Sequence, residues 1–283
     1  MEKIKAIVEL TRPRNMVISF LGVIVGAILV SSQNTIELKT VTAAISAMLI
    51  LGAGNALNDY YDSSIDKINQ PKRPIPSGRI SKKEAKAITL ILFLSGILLA
   101  ASINASCLIL ATLNAIILTI YAKHSKQALA LANLAVSYLT ASVFIYGALT
   151  VIYTQEFNLI GIPILGALVL SSFLMTLSRE IIKDIEDMPG DKKAKARTLP
   201  IEVGKDKAKT MAKAAGLLAI IASLMPFLQQ TENFSNKAYA VFIIPANLIF
   251  ISSYGKEPRK NQKQQVHGML ISLIAFLAGR ILG

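Results

Sequence analysis

TVTAAISAMLILGAGNALNDYYDSSID, residues 40–66, carries no charge over its first 19 positions and three aspartates in its last eight. A helix rises 1.5 Å per residue and the hydrocarbon core of a bilayer is about 30 Å thick, so a run this long and apolar reads as a membrane span. If the helix continues past the apolar run, Asn58, Asp62 and Asp66 fall at i, i+4 and i+8. Asp59, Asp62 and Asp66 fall at i, i+3 and i+7. Either set lies along one helical face. The chain therefore contains a membrane-crossing helix that ends in a stripe of carboxylates.

The same lack of charge recurs at 15–36, 87–122, 127–155, 157–178, 214–231, 238–255 and 264–279. The run 87–122 has 36 residues, too many for one crossing, and its polar interruption at Ser102, Asn104 and Ser106 predicts a tight hairpin. Counted twice, it brings the total to nine spans. The expected fold is an all-α polytopic membrane bundle, a single domain over 1–283. The first run is too long for a cleaved leader and shows no small-residue cleavage site. Composition agrees, with 53% hydrophobic and 17% charged residues and a mean hydropathy of +0.53. That balance excludes a disordered chain and most soluble enzymes. The one cysteine, Cys107, excludes an internal disulfide and a cysteine-based metal cluster.

A net charge of +13 would suggest nucleic acid in a soluble domain. Its placement says otherwise. With alternating spans, 27 of the 30 Lys and Arg residues fall on one side, leaving Lys39, Lys237 and Arg280 on the other. The positive-inside rule puts the N-terminus and the segments 58–86, 122–127 and 179–209 in the cytoplasm, at the plasma membrane. The basicity then reflects loop asymmetry and attraction to anionic lipid headgroups. Membrane lipids are expected as partners; nucleic acid and an obligate protein partner are not.

Against that background, 11 of the 17 acidic residues sit in segments 58–86 and 179–209. The second segment contains Glu180-Ile181-Ile182-Lys183-Asp184-Ile185-Glu186-Asp187-Met188-Pro189-Gly190-Asp191. Asp184 and Asp187 are again i, i+3, and Pro189-Gly190 is expected to break the helix and re-aim Asp191. Like charges on one face repel. The two clusters follow the second and sixth spans, on one side of the membrane, where a bundle can bring them face to face. Two such sets call for a cation between them. Mg²⁺ takes carboxylate oxygens, keeps some waters and fills its remaining positions with substrate phosphate, so it is the expected cofactor. Its candidate ligands are Asn58, Asp59, Asp62, Asp66, Asp184, Asp187 and Asp191.

These residues resemble the two signatures of the UbiA superfamily of intramembrane prenyltransferases. Asn58, Asp59, Asp62 and Asp66 match its NDxxDxxxD motif, and Asp184, Asp187 and Asp191 match its DxxDxxxD motif. Arg12-Pro13-Arg14-Asn15, Arg73-Pro74-Ile75-Pro76-Ser77-Gly78 and the Arg179–Asp187 string are most similar to the branch that builds archaeal ether lipids. Tyr121-Ala122-Lys123-His124-Ser125-Lys126 loosely meets a family motif of Tyr and Lys and offers two lysines for it. The resemblance implies Mg²⁺-dependent transfer from geranylgeranyl diphosphate to a lipid acceptor, geranylgeranylglyceryl phosphate, forming a second ether bond. It implies Asp62, Asp184, Tyr121 and Lys123 as catalytic residues. It implies Arg12, Asn15, Arg73, Lys126, Lys183 and Lys192 as holders of diphosphate and phosphate. An aromatic quinone precursor as acceptor is the alternative within the superfamily.

Two other classes fit less well. A cation-coupled transporter would carry its carboxylates at mid-span, whereas these uncharged runs contain neither Asp nor Glu. A CDP-alcohol phosphotransferase needs an Asp-Gly pair, which does not occur here. Gly22 and Gly26 form a GxxxG in the first span and read as a helix-packing site. Asn133 and Ser137, i and i+4 in the fifth span, either line a polar cavity or bond across helices.

Overall fold

The computed structural model describes residues 2–33, 36–124, 130–154, 157–193, 197–229 and 233–283. Regular structure among these residues is helical: α1 (Glu2–Thr11), α2 (Pro13–Val30), α3 (Leu38–Asn69), α4 (Lys82–Ala101), α5 (Ala105–His124), α6 (Ala130–Ala148), α7 (Gly161–Lys193), α8 (Leu199–Val203), α9 (Lys205–Ala222), α10 (Asn236–Ser253) and α11 (Pro258–Ile281). Eight helices, α2 to α7 with α9 and α10, are long and apolar enough to cross a membrane. The molecule is an integral membrane protein. The expected count of nine is not met among the described residues. α11 is 24 residues long, opens on the polar run Arg259, Lys260, Asn261, Gln262 and Lys263, and is not among those eight.

The hairpin expected inside 87–122 is present: α4 ends at Ala101, α5 begins at Ala105, and Asn104 Oδ1 accepts from the Cys107 amide at 2.8 Å. α3 has 32 residues and α7 has 33, each about 50 Å long at the helical rise. Both outrun the hydrocarbon core, so each carries its acidic motif on a helical extension rather than on a loop. At Pro189 the structure differs from the expectation, for α7 runs through it to Lys193. Proline withholds only its own N–H and crowds the carbonyl four residues back, so it kinks a helix as readily as it ends one. Asp191 therefore stays on the helix, at i+7 from Asp184.

α6 joins the two halves of the bundle, packing on α2 and on α7. A methyl group at Gly26 would overlap the Phe144 carbonyl, and one at Gly147 the Val23 carbonyl. α2 and α6 thus meet backbone to backbone, the packing role expected of the GxxxG. Bonds between Ser46 and Tyr146 at 2.9 Å and Thr40 and Thr150 at 2.8 Å tie α3 to α6 and the turn after it. Far from the acidic motifs, buried Arg280 on α11 donates to the carbonyls of Ile28 and Ser31 at the end of α2. Those are carbonyls that a helix C-terminus leaves without an internal partner.

Candidate active site

Pro13 opens α2, and a residue before proline is pushed out of the right-handed helical region. Arg12 takes φ 54°, the one positive φ outside glycine among the described residues. The helix therefore breaks between α1 and α2, and Asn55 of α3 donates to the Thr11 carbonyl at 3.0 Å to hold the corner. From that corner Arg12 Nη2 reaches Asp59 Oδ1 at 2.6 Å. Left-handed backbone in a non-glycine residue costs on the order of 1–2 kcal/mol and marks positions that the surroundings enforce.

The Arg73–Gly78 string folds into a tight turn, with Ser77 N donating to Arg73 O at 3.0 Å and Gly78 at φ 77°. Ile75 and Ile80 anchor it against Ala6, Leu10 and Ala85. Arg73 Nη1 is thereby aimed at α3, 2.7 Å from Asp66 Oδ2 and 3.3 Å from Asp59 Oδ1. Both aspartates are buried. Asp62 accepts from Asn58 Nδ2 at 3.0 Å.

On α7, Glu180, Asp184, Asp187 and Asp191 follow one another at +4, +7 and +11 along one face. Glu180 is buried and engaged by Arg179 and by Lys183, whose ammonium lies 3.4 Å from Oε2. Lys183, expected to hold phosphate, is thus partnered with a carboxylate of its own helix. Asp184 Oδ2 accepts from Asn133 Nδ2 of α6 at 2.9 Å, which settles the choice left open for Asn133 in favour of a bond across helices. Tyr121 at the end of α5 stands within electrostatic reach of Lys183, Glu180, Asp62 and Arg12.

The other candidates are placed less centrally. Asp187, Asn15 and Lys192 are exposed, and exposed Lys123 makes no ion pair among the described residues. Lys126 lies outside the described residues. Sequence reasoning assigned no role in the site to Glu180 and did not pair Asn133 with Asp184. The first was legible in principle, since Glu180 shares the i, i+4 face with Asp184.

Among the described residues no three carboxylate, histidine or cysteine side chains converge on a point that could hold a metal. Asp59 and Asp66 are engaged by arginines, and Asp62 and Asp184 each accept from a side-chain amide. The donors are hard oxygens, carried on α3 and α7. That set fits Mg²⁺, which is commonly held by one or two carboxylates plus substrate phosphate rather than by an all-protein cage.

The sequence profile of the UbiA prenyltransferase family matches residues 19–274. A digeranylgeranylglyceryl phosphate synthase from Methanosarcina mazei is 38% identical over 98% of each chain. A solved structure described as "Structural and mechanistic insights into the biosynthesis of Digeranylgeranylglyceryl phosphate synthase in membranes" superposes over 100% of both chains with a TM-score of 0.82 at 35% identity. A UbiA homologue from Archaeoglobus fulgidus, bound to GPP and Mg²⁺, shares the fold with a TM-score of 0.68 at 17% identity over 98% of this chain and 99% of that one.

Proposed function

The chain belongs to the UbiA prenyltransferase family, and on that premise we propose that it moves a geranylgeranyl group from geranylgeranyl diphosphate to the hydroxyl of geranylgeranylglyceryl phosphate. The product is the second ether bond of an archaeal membrane lipid. Full-length similarity to proteins named as that synthase supports the reading. The observation that carries it in this chain is the density of cations around the acidic motifs: Arg12, Arg73, Arg179 and Lys183. Such an acceptor brings a phosphate to a site that already takes a diphosphate, and charge-assisted bonds from Arg and Lys are what hold it.

In this reading the donor C1–O bond breaks, the diphosphate leaves with the electron pair, the acceptor hydroxyl oxygen closes on C1, and the hydroxyl proton passes to the departing diphosphate. Magnesium, when bound, neutralises the diphosphate and so makes it a better leaving group; the A. fulgidus homologue bound to GPP and Mg²⁺ supports that requirement. Asp62, Asp184, Asp187 and Asp191, with Asn58, are the residues that would hold the metal. Arg12 and Arg73 anchor Asp59 and Asp66 and present their remaining N–H groups to diphosphate. Tyr121 sits between the motifs, where the two headgroups meet. The chain acts as a single domain, with the site on the cytoplasmic rim of the plasma membrane, supported by the 27 to 3 division of Lys and Arg.

The test is an acceptor competition with purified protein, Mg²⁺, geranylgeranyl diphosphate, geranylgeranylglyceryl phosphate and an aromatic acid. Prenylation of the phospholipid precursor is expected. Prenylation of the aromatic acid alone would overturn the acceptor assignment and leave the family. A charge-assisted bond to phosphate contributes about 1.5–3 kcal/mol. Lys123→Ala is therefore expected to raise the acceptor KM roughly 10- to 100-fold and change the donor KM little. Equal rises in both would remove Lys123 from the acceptor site.

A further inference from the structure

One aspartate of each motif accepts a hydrogen bond from a side-chain amide: Asp62 from Asn58 Nδ2 at 3.0 Å in the first and Asp184 from Asn133 Nδ2 at 2.9 Å in the second. In α3 the amide comes from the same helix, four residues before Asp62. In α7 the position four residues before Asp184 is Glu180, which accepts from Arg179 and Lys183 and offers no amide. The amide arrives from α6 instead, 51 residues earlier in the chain.

Asn133 is placed for this role. It is buried, with 4% of its surface exposed, and α6 packs directly on α7. Its main-chain oxygen accepts from Ser137 Oγ at 2.7 Å. A neutral amide occupies one carboxylate oxygen and fixes the rotation of the group. It leaves the other oxygen directed elsewhere and does not cancel the charge, as the arginines do at Asp59 and Asp66.

We propose that Asn133 is a positioning residue for the metal-binding carboxylate of Asp184, through a side-chain amide bond of the kind Asn58 makes to Asp62. The inference rests on the metal reading above and adds to it a residue outside both acidic motifs. An ordinary bond between membrane helices would stabilise the bundle without affecting cation binding. The two roles separate in a binding experiment that involves no turnover.

The full chain, purified in detergent, is titrated with Mn²⁺ beside an unreactive thiolo analogue of geranylgeranyl diphosphate, and bound Mn²⁺ is read by electron paramagnetic resonance. Outer-shell partners typically contribute 10- to 100-fold in metal affinity. Asn133→Ala and the near-isosteric Asn133→Leu are both expected to weaken Mn²⁺ binding by about that factor. Ser137→Ala, which keeps the amide, is expected to stay within about twofold of wild type. If Asn133→Ala fails to fold, Asn133→Leu carries the reading. Mn²⁺ binding at wild-type strength in a folded Asn133 variant, or an equal loss in Ser137→Ala, would overturn the proposal. Absence of Mn²⁺ binding in the wild type would instead overturn the metal reading on which it rests.

Discussion

Arg73 donates to two buried aspartates at once, Asp66 at 2.7 Å and Asp59 at 3.3 Å, with 31% of its own side chain exposed. Truncating it leaves two carboxylates short of a partner, a loss of about 1.5–3 kcal/mol for bonds between charged groups. Solvent at the guanidinium keeps the loss below that of a fully enclosed pair. Arg73→Ala is expected to lower the unfolding midpoint in detergent, and Asp66→Asn added to it to recover part of the drop. A double variant no more stable than the single one would mean that uncompensated charge is not the cause. The carboxylates of this network were legible in the sequence because their spacing within one helix announces a shared face. Their partners were not. Asn133 meets Asp184 across 51 residues, and nothing in a string says which of several nearby carboxylates Lys183 takes.

At the scale of elements, an uncharged run too long for one span, with Asn104 and two serines in its middle, could fold only as a hairpin, and it does. The extension of α3 was readable from the i, i+3, i+7 spacing of its aspartates. Pro189 misled, because a proline rule concerns one hydrogen bond, whereas the persistence of α7 depends on all the others and on packing of Ile181, Ile182 and Ile185 against Leu199, Ala208 and Ala212. The close approach of α2 and α6 gives a test at this scale. Gly147→Ala would place a methyl group on the Val23 carbonyl, while a methyl group at Gly166 meets nothing within 4 Å. Forcing backbones apart costs packing that side chains cannot recover. Gly147→Ala is expected to elute as aggregate on size-exclusion chromatography and Gly166→Ala as wild type. Identical profiles would show that the contact is dispensable.

For the whole molecule, a shared site requires both acidic motifs on one side of the membrane. Cysteine labelling in a Cys107→Ser background is expected to modify exposed Lys83→Cys and Lys207→Cys only from the cytoplasm. Exposed Lys237→Cys is expected to react only from outside. Labelling of Lys83→Cys and Lys207→Cys from opposite sides would separate the motifs and end the shared-site reading. The most direct test compares turnover of Asp62→Ala and Asp184→Ala with wild type, at saturating Mg²⁺, geranylgeranyl diphosphate and geranylgeranylglyceryl phosphate. If both motifs act on one diphosphate, neither can substitute for the other, and groups that act as a unit lose nearly everything when one is removed. Each single variant is expected to remain folded in detergent and to form less than about 1% of the wild-type product. Substantial product from either folded variant would contradict a site built from both.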